Sequence, residues 1–126
     1  MKEFRVTMPH RPGELARVAA SLARQEVNIK ALAATASAKQ VVLHLVGHDV
    51  EATRRGLTAA NIPFQEQEVM IVLLEDKAGE VARLASQLSD AGINLEAVYL
   101  AGRADNLVEL VLAVDDVKKA RKILGE

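Results

Sequence analysis

With 126 residues, half of them hydrophobic, the chain can build one compact unit or two very small ones, and only Phe4, Phe64 and Tyr99 are aromatic, so the core must be aliphatic. A net charge of −1, a pI of about 6.3 and no basic tract leave nucleic-acid binding without its electrostatic and stacking terms. The lack of cysteine excludes disulfides, thiolate metal sites and a cysteine nucleophile; with no apolar run longer than "VMIVLL" (Val69 to Leu74) and no signal-like amino terminus, the expectation is a soluble cytoplasmic protein.

In chain order, "EFRVTM" alternates polar and apolar residues and reads as a strand with Phe4, Val6 and Met8 on one face. "MPHRPGEL" then turns the chain into a helix whose Leu15, Val18, Ala19 and Leu22 form an amphipathic stripe. "NIKALAATA" and "QVVLHLV" are two β-rich runs split by a short polar turn. A second helix, "DVEATRRGLTAA", is capped by Asp49, with Glu51 and Arg55 set for an i, i+4 pair. Asn61, Ile62 and Pro63 end it, and "FQEQE" supplies a last strand. The order is βαββαβ, a ferredoxin-like unit with two helices on one face of an antiparallel sheet.

The second half repeats this plan. With Gly13 placed on Gly79, an offset of 66, "GELARVAASLARQEVNI" and "GEVARLASQLSDAGINL" are identical at seven of seventeen positions, and four more exchange one aliphatic for another. One residue inserted in the following loop brings "DVEATRRGL" onto "DVKKARKIL". The helical stripe recurs as Val81, Leu84, Ala85 and Leu88. Fold class is therefore α+β, two ferredoxin-like units in tandem, with unit one over residues 1–67 and unit two over 68–126; the second has no sequence for a final strand. "FQEQEVMIVLLE" contains no turn residue, so the two units are expected to share a sheet. In "VMIVLL" and "LVELVLAV" both alternating sets are apolar, which points to burial of the second sheet face against another chain, a homodimer.

The strand–helix turn carries the chemistry. Pro12 is placed at or near the first helical position, and Gly13 is read as allowing a sharp turn and a close approach to another group. The helix start offers unpaired N–H groups and a positive dipole end, a seat for a carboxylate. Asn28 and Asn94 stand at the start of the strand after each helix, at the far end from the turn unless a neighbouring unit brings its own turn alongside. An asparagine amide has a donor and an acceptor, enough to read both ends of a zwitterion, although the same amide also satisfies local backbone.

These residues carry a resemblance. "RPGELARVAASLARQEVNI" and "DKAGEVARLASQLSDAGINL" are similar to the amino-acid-binding ACT domain, with its [D/N]-[R/K]-P-G turn, Ala/Leu helix and G-[I/V]-N-[I/V] opening of the second strand. The resemblance implies a non-catalytic regulatory module whose units pair edge to edge, an amino acid lying where the turn of one meets the second strand of its neighbour. By position, it assigns ligand contact to His10, Arg11, Pro12, Gly13 and Asn28, and to Asp76, Lys77, Ala78, Gly79 and Asn94. It implies helix-start amides on the carboxylate, and the asparagine and acidic turn residue on the ammonium. His10 departs from the usual acid and Ala78 from the proline, which makes Asp76 the better ammonium partner.

The alternatives belong to other classes: a ligand-free dimerisation module, or the detached regulatory subunit of an enzyme of amino-acid metabolism. No catalytic signature occurs, no cofactor is implied, and Asp115–Asp116 reads as a helix cap. His44 and His48, even with His10, lack the further ligands a metal site needs.

Overall fold

The computed structural model describes residues 1–125. Contacts divide the chain into two units, Lys2–Gln67 and a second that runs from Glu68 onward and includes Met1.

In the first unit, β1 (Lys2–Pro9), α1 (Glu14–Ala23), β2 (Ile29–Ser37), β3 (Gln40–Gly47), α2 (Val50–Ala59) and β4 (Gln65–Glu68) form a four-stranded sheet in the order β2-β3-β1-β4 with two helices. Register follows the apolar alternation: Phe4 faces Leu45 and Val6 faces Leu43 across the antiparallel β1–β3 pair. These side chains meet Val18 and Leu22 of α1 and Ala52 and Leu57 of α2 in one buried cluster. Each buried aliphatic contributes about 1.5–3 kcal/mol. Phe64 stands just before β4 and packs edge-on against Phe4, ring centroids 5.4 Å apart, so the two phenylalanines pin the closing strand to the core.

The second unit comprises β5 (Met70–Glu75), α3 (Glu80–Asp90), β6 (Leu95–Ala104), β7 (Leu107–Val114) and α4 (Val117–Leu124), with strand order β5-β7-β6. Met70 faces Leu112, Val72 faces Leu110 and Leu74 faces Val108, and these residues share a core with Leu84 and Leu88 of α3 and Ala120 of α4. Among the described residues this unit has three strands to the first unit's four. The fold is α+β, two ferredoxin-like units with antiparallel sheets.

Several expectations are corrected. β4 and β5 follow each other directly but bond into separate sheets, where one shared sheet was expected; β4 stops at Glu68, and Val69 N donates to Met1 O at 2.9 Å. Leu15 and Val81 belong to the helical stripes by spacing, yet are 45% and 55% exposed. The buried stripe of α1 runs instead through Glu14, Val18, Ser21 and Leu22. Arg54, not Arg55, pairs with Glu51, at i, i+3 and 2.6 Å, because its guanidinium also reaches Glu66 of β4 with two bonds of 2.7 Å. On the second face of β7, Val111 and Ala113 are buried. Leu73 and Leu107 of that face remain exposed.

The inserted residue also moves. Up to Leu100 the strands of the two units correspond at an offset of 66, Ala34–Leu43 matching Leu100–Leu110; from Gly102 the offset is 67. The insertion is thus a β-bulge at Ala101 inside β6, not a longer loop. Among the described residues no helix is long and apolar enough to cross a membrane.

Candidate functional site

The strand–helix turn is built twice with the same backbone. His10 N donates to Lys39 O at 2.8 Å, and Asp76 N to Asn106 O at 2.6 Å, tying each turn to the hairpin beside it. Arg11 N donates to Pro9 O and Lys77 N to Glu75 O, at 3.0 and 2.9 Å. Gly13 and Gly79 are the N-caps of α1 and α3, with φ of 90° and 91°, in the left-handed region that L side chains avoid. Pro12 and Ala78 therefore precede the cap, two residues before the first helical position. A Cβ on either glycine would meet nothing within 4 Å, so backbone angle and not close approach demands glycine.

Neither helix has a side-chain cap, and each carries a glutamate in its first turn, the sign that complements the helix dipole. Buried Glu14 accepts from Arg11 Nε at 3.1 Å and Arg17 Nη2 at 3.4 Å, and Arg11 chiefly holds its carboxyl below the ordinary range. Glu80 takes both Nε and Nη2 of Arg83, at 3.2 and 3.1 Å, and is lowered likewise. Lys77 pairs with Glu75 at 2.9 Å, which raises its pKa.

Each asparagine is at the other end of its sheet. Asn28 N donates to His48 Nδ1 at 2.9 Å, and His48 N returns a bond of 3.0 Å to Asn28 O, just beyond the end of β3. His10 bonds the hairpin at the start of β3. Strand β3 spans eight residues, roughly 25 Å at the usual rise. Asn94 repeats this clasp with Asp115 in place of the histidine: its N and Nδ2 donate to the two carboxylate oxygens, both at 3.1 Å, and Asp115 N returns a bond to Asn94 O. A turn and an asparagine of the same unit cannot touch one small ligand. The two aspartates of Asp115–Asp116 divide their work, for Asp116 alone caps α4, accepting from Lys119 N at 3.0 Å. His44 Nδ1 lies 3.2 Å from the carboxylate of the buried Glu3, so the three histidines occupy three different settings.

One residue that sequence reasoning missed joins the turn of the second unit. Arg103, at the end of β6, donates through Nη1 to Asp76 Oδ2. The pair is exposed, Arg103 at 60% and Asp76 at 42%. Its counterpart in the first unit, at the shifted offset of 67, is Ala36, and the counterpart of Asp76 is His10.

No family model matches the chain, and no curated protein matches it in sequence. Solved structures do. Protein BT0572 from Bacteroides thetaiotaomicron superposes with a TM-score of 0.90 at 20% identity, over 98% of this chain and 85% of that one. The ligand-free regulatory subunit of aspartate kinase from Thermus thermophilus gives 0.68 at 12% identity, over 98% and 89%. The E. coli aspartokinase III, solved in complex with lysine and aspartate in its T-state, gives 0.53 at 20% identity, over 97% of this chain but 29% of that one. At these identities the likeness concerns fold.

Proposed function

We propose that the chain is a non-catalytic regulatory protein of ACT type that binds a small amino acid at its strand–helix turns. The reading rests on one observation above all: the turn is made twice, with the same left-handed glycine, the same hairpin tie and no side-chain cap. A turn kept in two copies whose remaining sequence has drifted, ending in the positive pole of a helix, suits a ligand carboxylate. Asn28 and Asn94 stand far from the turn of their own unit, so a complete site takes its turn from one unit and its asparagine from another, of the same chain or of a second copy. Long edge strands β2 and β6, with Leu32, Val98 and Leu100 exposed, favour a homodimer. The similarity to a regulatory subunit of aspartate kinase, and to a kinase solved with lysine, favours an amino acid as ligand and an enzyme of amino-acid metabolism as partner. Occupancy would act on that partner through differential affinity for two arrangements of the units.

A ligand-free pairing module is the second reading, favoured by Asn94, whose side chain is already held by Asp115. Thermal unfolding against each of the twenty amino acids at millimolar concentration separates the two. A ligand at about 100 times its dissociation constant adds about 2.7 kcal/mol and raises the midpoint by several degrees. One responder, lost in Asn94→Ala, supports the sensor; twenty flat curves support the module.

A further inference from the structure

The two turns share a backbone but differ in charge, and the difference is concentrated in a single place. Asp76 is closed by Arg103 in the second unit; the first unit has His10 and Ala36 at those positions and lacks the bulge at Ala101. Bulges re-aim side chains and collect beside functional sites. Here the extra residue stands two positions before Arg103, whose guanidinium reaches the first residue of the turn. The remaining charges of this turn are matched locally, Lys77 by Glu75 and Glu80 by Arg83. The Asp76–Arg103 pair is thus an anion and a cation, side by side and accessible, each able to exchange its partner without leaving an unpaired buried charge.

We propose that this pair is the zwitterion reader of the second unit, with Arg103 joining the helix start on the ligand's α-carboxylate and Asp76 taking its ammonium, and that the first unit, with His10 and Ala36 in these places, lacks this reader. The proposal rests on the amino-acid-binding reading above and adds to it a residue, a selectivity and a stoichiometry. Before binding, Arg103 occupies Asp76 and competes with any cation for it. An amine without a carboxylate can displace Arg103 only by leaving the guanidinium unpaired. A zwitterion gives each charge a new partner, so the closed pair admits amino acids and discriminates against simple amines. Arginine suits the task because its planar fork holds a carboxylate with two parallel bonds.

The test uses the full chain and measures binding of the twenty L-amino acids, each beside its α-carboxamide, which keeps the ammonium and side chain but lacks the carboxylate. In the unsubstituted protein one amino acid binds, once per chain, and its carboxamide at least about tenfold more weakly, the size of one charge-assisted contact. Arg103→Gln weakens the amino acid about tenfold and leaves the carboxamide unchanged or tighter, so that the preference disappears; Arg103→Lys restores part of it. His10→Ala leaves the preference intact. Because Arg103 is exposed, its variants melt with the unsubstituted protein, and a change of preference cannot come from unfolding. An amino acid that binds with its preference intact in Arg103→Gln, or two equivalent sites per chain, overturns the proposal and leaves the amino-acid-binding reading standing. No binding by any of the twenty overturns both.

Discussion

Replacing glycine by alanine tests separately the two ways in which a backbone position demands glycine. Gly13 and Gly79 have φ near 90° and empty space where a Cβ would point. The cost of alanine there is conformational, about 1–2 kcal/mol for an L residue in the left-handed region. Against it stands a gain of about 0.4–1 kcal/mol from a less flexible unfolded chain. At the middle of both ranges the net expectation is a loss of about 0.8 kcal/mol at each site. Gly47 is the opposite case: a Cβ would come within 2.2 Å of Thr53 Oγ1, whose hydroxyl is donated to Asp49 O at 2.7 Å. Overpacking and a broken hydrogen bond together cost about 2–4 kcal/mol. Gly102 has neither a left-handed φ nor a neighbour within 4 Å, so alanine should be close to neutral there. Urea unfolding followed by far-UV circular dichroism, compared at constant m, gives the order directly. Gly47→Ala should fall furthest, Gly13→Ala and Gly79→Ala together in the middle, and Gly102→Ala beside the unsubstituted protein. If Gly13→Ala is as stable as the parent, or Gly102→Ala loses as much, the assignment of the two turns to backbone strain is wrong.

Acid should unfold the first unit through its paired carboxylates. Glu14, held by Arg11, Asp49, held by the Ala52 N–H, and Glu66, held by Arg54, all have folded pKa values below their ordinary ones. Each therefore contributes stability that is complete above about pH 5 and is lost as pH falls through its lowered folded value. Glu66→Gln should flatten the fall in urea midpoint between pH 6 and 3, to about that of a protein missing one such pair; an unaltered slope would remove Glu66 from the account. The Phe4–Phe64 contact should appear in a double-mutant cycle of Phe4→Leu and Phe64→Leu as a coupling of about 0.5–1.5 kcal/mol. Strict additivity would mean that Phe64 is held by area alone.

Local pattern carried the fold because the duplication states it twice. Val6, Leu22, Leu84 and Leu112 lie in the cores, and each belongs to a run whose period names its element. Period alone cannot say how far a sheet covers the edge of a helical stripe. Leu15 and Val81, both two residues after the capping glycine, look like core and are not, while Glu14 is buried in company with two arginines. The positions of the turn were legible for the same reason as the fold, since Gly13 and Gly79 announce a left-handed cap. Arg103 was not. Its partner is 27 residues away, and the two meet only through the register of a hairpin. The clasp on Asn94 was hidden likewise, because Asp115 and Asp116 are indistinguishable in sequence and point to different tasks in space.

The bulge at Ala101 also has a bearing on how such a protein acquires two unlike halves. A gene duplication yields copies that compete for the same ligand, and substitutions alone must diverge them gradually. Insertion of a single residue in an edge strand can be absorbed on the spot: the pairs Val98–Leu112 and Leu100–Leu110 stay in place before the bulge, and beyond it Arg103 faces Val108 as Ala36 faces Val41. The scaffold is kept, and the added residue is taken up at one point of one strand. Removing Ala101 would take out the bulge and leave Arg103 where the first unit has Ala36, so the charge of the second turn rests on the residues at that position and at Asp76.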